Sequence, residues 1–300
     1  MRASGSHDPR NGMPVARLRR VPSETAGKAP TATVPQRRWY HTLELPGGVV
    51  TPGEYDLRPA LLRVPLPESL EGRRCLDVGT HDGFWAFEME KRGAREVVAI
   101  DLDDPERYDY AEPAPTISAD VRAENAERLE TFEIARRALG SQVQRRDMSV
   151  YELSPAAVGE FDFAVIGTLL LHLRDPVGAL SAIGRVLRGD LLVNDVVSVS
   201  LTALRPRTPA AKLMAEPGLP FWWLPNVRGL RQLVVSAGYE VLASHGPYRV
   251  QLGSGWVRER LQRGNPLATR ARQLMLRRGV PHAWVLARTR GSTPRTSAPE

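Results

Sequence analysis

Residues 74–93 constrain the fold more than any other stretch. A short apolar run at 74–78 enters the turn Gly79-Thr80-His81-Asp82-Gly83 and leaves it as a helical pattern over 84–92, which Gly93 stops. A chain passing directly from a buried strand into a helix needs residues without a Cβ in the turn, and Gly79 and Gly83 sit where that demand falls. The same geometry brings backbone N–H groups close to any ligand lying at the helix N-terminus. The alternation then repeats. Strands are expected at 96–101, 143–146, 161–166 and 191–199, with helices at 120–139, 176–187 and 227–237 among them. Two further strands are expected at 239–244 and 283–287. Such alternation makes a mostly parallel sheet with helices on both faces.

The 300 residues, 42% of them apolar, suffice for one α/β domain with extensions. Residues 1–36 mix Pro, Ala, Ser, Thr and Arg without apolar periodicity and read as a disordered basic tail; 291–300 read as a second disordered tail. Residues 37–70 precede the first strand and form an expected N-terminal cap. The main domain spans 71–290, with 249–281 as an Arg-rich insertion before the last strand. Charge follows these divisions. Residues 1–38 carry 8 basic and 2 acidic groups, net +6; residues 39–248 carry 22 and 30, net −8; residues 249–287 carry 8 and 1, net +7; residues 288–300 add +2, and the total is +7. The body is therefore acidic, and the basic balance lies in its ends and one late segment. The lone Cys75 cannot form an intrachain disulfide. No apolar run is long enough to span a bilayer, and Met1 to Arg20 lacks the apolar core of a secretory signal. A cytoplasmic protein without a membrane partner is expected.

Three strand ends carry candidate ligand groups. The first is the glycine turn. The second is Asp101, 22 residues past Gly79, where a carboxylate can take both hydroxyls of an adenosine ribose. The third is Asp147-Met148, where a carboxylate can accept from an adenine amino group and a thioether can pack on its ring. The Gly-x-Gly-x-x-Gly of nicotinamide-binding turns is absent. The alternative is a doubly wound domain with ordinary turn glycines and surface acids.

The loop and Asp101 resemble the class I S-adenosylmethionine-dependent methyltransferases. Trp39-Tyr40-His41, Thr51-Pro52-Gly53, the run from Gly79 to Glu88, Phe132-Glu133-Ile134-Ala135, His172-Leu173-Arg174-Asp175-Pro176 and Trp223-Leu224-Pro225-Asn226 narrow the likeness. They are similar to the family of tRNA wobble-uridine 5-oxyacetic acid and 5-methoxyuridine methyltransferases and its unassigned relatives, over about residues 39–245. The resemblance implies a Rossmann-like seven-stranded sheet with its last strand antiparallel, and S-adenosyl-L-methionine as cofactor. It implies a cofactor site of Asp77, Gly79, Thr80, His81, Gly83 and Phe84, completed by Asp101, Leu102, Asp147, Met148 and Gly167. Two residues depart from the pattern. His81 stands where class I loops commonly have a glycine. Leu171-His172 stands where the tRNA enzymes carry Tyr-His, which favours plain S-adenosylmethionine over its carboxylated form.

For the acceptor side, His172 lies just past the fourth strand of the main domain, at the carboxyl edge, where a neutral imidazole can take a proton from a hydroxyl. A histidine packing against or capping the next helix is the competing reading. His41 is the second candidate base. Tyr40, Trp222, Trp223 and Asn226 are candidate acceptor contacts, whereas Trp39 reads as an anchor for the cap. Arg174 and Asp175 read as a pair or as a helix cap. Asp101, Asp103 and Asp104 supply oxygens without a cage, and no Cys/His set has zinc spacing, so no metal is expected. The stripe Arg258, Arg260, Arg263, Arg270, Arg272, Arg277 and Arg278 could hold phosphates, with only Trp256 for base stacking. The expected reaction is methyl transfer to a small-molecule or sugar hydroxyl. The alternatives are methylation of a tRNA wobble 5-hydroxyuridine and, in another class, a non-catalytic adenosyl-binding module or a nucleotide-dependent oxidoreductase.

Overall fold

A computed structural model describes residues 37–256 and 278–290. The chain begins with four short strands, β1 (Trp39–His41), β2 (Glu44–Leu45), β3 (Val49–Val50) and β4 (Gly53–Asp56). The regular alternation follows: β5 (Arg74–Val78), α1 (Phe84–Lys91), β6 (Glu96–Asp101), α2 (Ala119–Leu139), β7 (Gln144–Asp147), α3 (Pro155–Val158), β8 (Phe161–Gly167), α4 (Pro176–Val186) and β9 (Leu187–Val196). An excursion then carries α5 (Val199–Leu204), β10 (Ala211–Leu213) and β11 (Trp223–Pro225), before α6 (Val227–Ser236), β12 (Tyr239–Leu252) and β13 (Val280–Thr289).

The main sheet has nine strands in the order β1-β4-β12-β13-β9-β8-β5-β6-β7. β7, β6, β5, β8 and β9 pair in parallel, and β13 runs antiparallel to both β9 and β12. The seven-stranded sheet with an antiparallel last strand is therefore present, and the N-terminal cap extends it to nine. The extension is possible because β12, expected at 239–244, runs on to Leu252, and its far end takes β4 as a neighbour through Gln251–Asp56 and Leu252–Tyr55. Gly246-Pro247 interrupts the alternating pattern and hides this continuation in the sequence; the strand crosses that point with a shift of register between His245 and Tyr248. Residues 249–252 thus belong to a strand rather than to an insertion. The expected tails at 1–36 and 291–300, and Arg258, Arg260, Arg263, Arg270, Arg272 and Arg277, lie outside the described residues.

Alternation along the strands splits the core in two. Leu76, Val98, Ile166 and Val193 face α4 and α6, meeting Leu180, Ile183, Leu230 and Val234. Cys75, Val97, Phe163 and Leu192 face α1, α2 and the cap, meeting Trp85, Met89, Phe132 and Trp39. Helix starts are fixed by side chains. Ser118 caps α2, Asp175 caps α4 and Asn226 caps α6, each accepting a backbone N–H from the first turn. Arg174 does not pair with Asp175; its guanidinium lies 4.9 Å from the centre of the Trp222 ring. Among the described residues, no helix is long and apolar enough to cross a membrane.

Candidate functional site

Sheet order reverses beside β5: its chain continues on one side to β6 and, after β7, returns on the other as β8. In open α/β sheets the crevice beyond the carboxyl ends of the strands at such a point is where ligands bind. The glycine turn lies there. Gly79 has φ +78°, and a Cβ on it would come 3.1 Å from Leu169, in the loop after β8. Gly83 has φ +95°, and a Cβ there would meet the Phe87 ring at 2.3 Å. His81 also adopts a left-handed conformation, with φ +51°.

The turn is bound tightly to its neighbours. Gly79 and Thr80 both donate N–H bonds to the Ile100 carbonyl, at 2.9 and 3.2 Å, and Gly83 donates to Thr80 at 2.8 Å. His81 N–H goes to Asp101 Oδ2 at 2.8 Å. These four N–H groups are therefore not free to face a ligand, as the turn geometry had led one to expect. What the turn offers is close approach of backbone; the Thr80 hydroxyl is engaged by the buried Asp77 carboxyl, and the His81 Nδ1 is buried without a partner.

Asp101 closes β6. Its Oδ1 accepts the Leu102 N–H at 2.8 Å, and its Oδ2 accepts from His81 and from Arg128 Nη1 at 3.2 Å. A carboxylate has about four acceptor positions, so Oδ1 keeps one for a ligand hydroxyl while Oδ2 is filled. Arg128, on α2, was not among the expected site residues. It also donates to the Leu102 carbonyl and so fastens the Asp101 loop from behind. No short motif marks it, since it reaches Asp101 from 27 residues away through helix packing.

The other expected cofactor residues divide. Asp77 is fully buried, and its Oδ2 accepts the Ala86 N–H at 3.1 Å, so it braces the start of α1. Burial pushes its carboxyl up to about 7. Phe84 belongs to the core beneath α1. Gly167 leaves room for Trp85, whose indole nitrogen would lie 2.4 Å from a Cβ there. Leu102 is half-buried, and Asp147 accepts from Asp103 N–H at 3.1 Å and Arg107 Nη1 at 2.8 Å. Met148 is half-buried beside the core and tied to Asp101 by a 3.0 Å backbone bond.

The cap meets the turn through Asp82, a residue that sequence reading had not singled out. Its Oδ2 accepts the N–H groups of Tyr40 at 2.9 Å and His41 at 2.8 Å, and its Oδ1 meets His41 Nδ1. A buried carboxylate thus docks β1 on the turn and leaves Nε2 as the imidazole's other nitrogen. The Tyr40 ring stacks on His81 with centroids 4.1 Å apart. Burial keeps the His81 imidazole neutral, well below its ordinary range. Trp39 is fully buried in the core.

On the other side of the crevice, His172 donates its Nδ1 proton to the Pro220 carbonyl at 2.8 Å and lies beside Phe221. A carbonyl can only accept, so the proton is on Nδ1 and Nε2 carries the lone pair. Burial lowers the imidazole pKa further, while the Pro220 bond and the negative charge of Asp101 pull it the other way. Trp222 Nε1 donates to the Asp109 carbonyl at 2.6 Å and Trp223 Nε1 to the Arg174 carbonyl at 3.1 Å, so both half-buried indoles pin the wall to the body. Asn226 is a correction. It is fully buried, its Oδ1 accepts from Gly229 and Ala210, and its Nδ2 donates to the carbonyls of Arg205 and Thr208. All its hydrogen-bonding positions are occupied by backbone, which leaves none for an acceptor.

The set suits a nucleoside-bearing cofactor. A spare carboxylate position at Asp101, an exposed carboxylate at Asp147 and the Met148 thioether surround a turn that admits no extra Cβ at Gly79 without displacing Leu169.

A family model described as a methyltransferase domain matches residues 53–244. Magnesium-protoporphyrin O-methyltransferase of Rhodobacter capsulatus is 28% identical over 169 residues, which are 56% of this chain. The chain spans 58% of the length of that relative. Among solved structures, the N-terminal domain of EvdMO1 with S-adenosylhomocysteine bound aligns with TM-score 0.48 at 16% identity, covering 84% of this chain and 92% of that one. A 1,6-didemethyltoxoflavin-N1-methyltransferase from Burkholderia thailandensis aligns with TM-score 0.43 at 18% identity, covering 78% and 77%.

Proposed function

This chain belongs to the methyltransferase domain family, and from that premise we propose that it methylates a hydroxyl of a small-molecule or sugar acceptor with S-adenosylmethionine. Bound S-adenosylmethionine supplies a methyl group already activated by a sulfonium centre. Asp101 Oδ1 would take a ribose hydroxyl, Met148 and Asp147 would serve the base, and the turn from Gly79 to Gly83 would hold the remainder. The protein's own task is then positioning, exclusion of water and acceptance of one proton. His172 Nε2 receives that proton from the acceptor hydroxyl, with Nδ1 held by Pro220. Phe221, beside His172, and the pinned Trp222 wall the acceptor from solvent.

The observation that carries this reading is the neutral, oriented imidazole of His172 at the carboxyl edge of the sheet. The O-methyltransferase activity named for the Rhodobacter capsulatus relative supports the choice of oxygen as acceptor. The second reading, a tRNA wobble-uridine methyltransferase, draws on the sequence resemblance and on the net +7 of residues 249–287, most of which lie outside the described residues. Incubation with methyl-labelled cofactor and cell extract, split into RNA and small-molecule fractions, separates the two. The label is expected in the small-molecule fraction, and His172→Gln is expected to lower kcat by about a hundredfold or more. Label in tRNA would promote the second reading, and undiminished turnover in His172→Gln would remove the base.

A further inference from the structure

The chain that carries His172 is held by a buried carboxylate which the methyl-transfer chemistry does not itself use. Asp195 ends the parallel part of β9 and is buried. It shares a face of the strand with Val193, the face that packs on α4. Burying a carboxylate is costly, and an aliphatic side chain would fill this place without that cost. The charge is met by backbone alone. Oδ2 accepts the Leu170 N–H at 2.7 Å, Oδ1 accepts the Val196 N–H at 2.7 Å, and the Leu169 N–H bonds to the same carboxylate.

Two of these donors lie in the segment that joins the halves of the candidate site. Thr168 opens that segment in a left-handed conformation, φ +55°, which a residue other than glycine adopts where its surroundings impose it. Its N–H goes to the Asn194 carbonyl at 2.8 Å, and its hydroxyl meets Nε2 of the buried His282 at 3.1 Å. Leu169 lies over Gly79 of the cofactor turn. Leu170 to His172 form one tight turn, closed by a 2.9 Å bond from the His172 N–H to the Leu169 carbonyl. Its far end is held through His172 Nδ1 on Pro220 and through the Leu171 carbonyl, which accepts the Trp222 N–H at 2.8 Å. Asp195 holds the near end. The point at which it grips the chain sets how far the imidazole stands from the glycine turn.

We propose that Asp195 is a positioning residue for methyl transfer: by holding the Leu169 and Leu170 N–H groups it fixes His172 where Nε2 meets the acceptor hydroxyl. This rests on the reading of His172 as the base. Asp195 acts only through the backbone of the turn. Without the carboxylate, two buried N–H groups lose their partner and the turn shifts to find another. A small displacement of a catalytic group costs rate out of proportion to its size.

The test is a double-mutant cycle of Asp195→Leu with His172→Gln at about pH 8, where the Asp195 carboxyl is ionised. The rate read is methyl-label transfer from S-adenosylmethionine into the fraction of cell extract that takes the label. Asp195→Leu alone is expected to slow transfer about tenfold or more. Its affinity for S-adenosylhomocysteine is expected to stay within about twofold of the parent's. In the His172→Gln background the same change is expected to slow transfer no further, because a residue acting through His172 has nothing left to position. Imidazole nitrogen NMR reads the turn without any acceptor. His172 is expected as a single Nδ1–H tautomer in the parent and as a mixture in Asp195→Leu, once the Pro220 bond is lost. Equal slowing in both backgrounds overturns the proposal. So does cofactor affinity that falls in step with rate, an unchanged imidazole in a slowed variant, or a folded variant as fast as the parent. If Asp195→Leu does not fold, Asp195→Asn, which keeps the shape and one acceptor oxygen, carries the same cycle with a slowing of about threefold expected and the same outcomes against it. Undiminished transfer in His172→Gln is a different failure, since it removes the base itself, whereas additive slowing leaves the base and removes Asp195 alone.

Discussion

The ion pair of Arg128 with Asp101 changes what the aspartate contributes. With one oxygen filled, the carboxylate has only the other to offer a ligand, and the guanidinium holds the side chain in that orientation. Charge-assisted hydrogen bonds are worth about 1.5–3 kcal/mol each, so losing even one is felt. Asp101→Ala is expected to lower affinity for S-adenosylhomocysteine at least about tenfold by calorimetry, with the fold retained. An unchanged affinity in a folded variant would remove Asp101 from the site. Asp82 has a different kind of role: it was legible only as one more residue in a glycine turn, and its value comes from β1 arriving beside it.

Among the elements, the hairpin of β10 and β11 and the helix α6 are joined at one residue. Asn226 caps α6 and at the same time ties down the backbone at Arg205, Thr208 and Ala210. Replacing it with Ala removes an N-cap and leaves the part-buried carbonyls of Arg205 and Thr208 without this donor, each loss costing about 1 kcal/mol. Asn226→Ala should therefore destabilise the protein by about 2 kcal/mol or more in urea unfolding, while affinity for S-adenosylhomocysteine stays close to that of the parent. A loss of binding without a loss of stability would return Asn226 to the site. Sequence alone could not make this distinction, because an Asn before an apolar run reads equally as a cap and as a wall of a pocket.

At the scale of the whole molecule, two buried carboxyls contribute to the pH response and are opposed by the buried His81, His172 and His282, whose pKa values burial lowers. Asp77 and Asp195 are both pushed up to about 7 by burial, from an ordinary value of 3.8. The folded protein therefore holds protons that the unfolded chain releases between about pH 4 and pH 7. Their contribution to stability is complete below the unfolded value and is lost as pH rises through the folded one. Asp195 accepts N–H bonds from Leu170 and Val196, which lower its pKa without cancelling burial. Asp195→Asn has no proton to release, so its unfolding free energy should fall less than the parent's between about pH 4.5 and pH 7. Parallel slopes for the two proteins would show that Asp195 is ionised throughout.

Most of the sheet and the position of the glycine turn at its carboxyl edge were legible in the sequence, and the reason is local. Strand 74–78, its glycine turn and the helix after it follow from short-range sterics and apolar period, and Asp101 follows from its place at the end of the next strand. The ninefold sheet was not legible, because β4 joins it only where β12 outruns a Gly-Pro break, and no local pattern reports a strand's neighbour. Arg128, Asp82 and Pro220 act on Asp101, His41 and His172 from 27, 41 and 48 residues away. The sequence by itself determined which backbone turns and strands exist and which side chains could serve a nucleoside. Only tertiary packing decided which carboxylate oxygens stay free, which histidine nitrogen carries the proton, and that Asn226 is spent on structure. Those outcomes depend on hydrogen-bond partners brought together across the fold, and local periodicity carries no record of them.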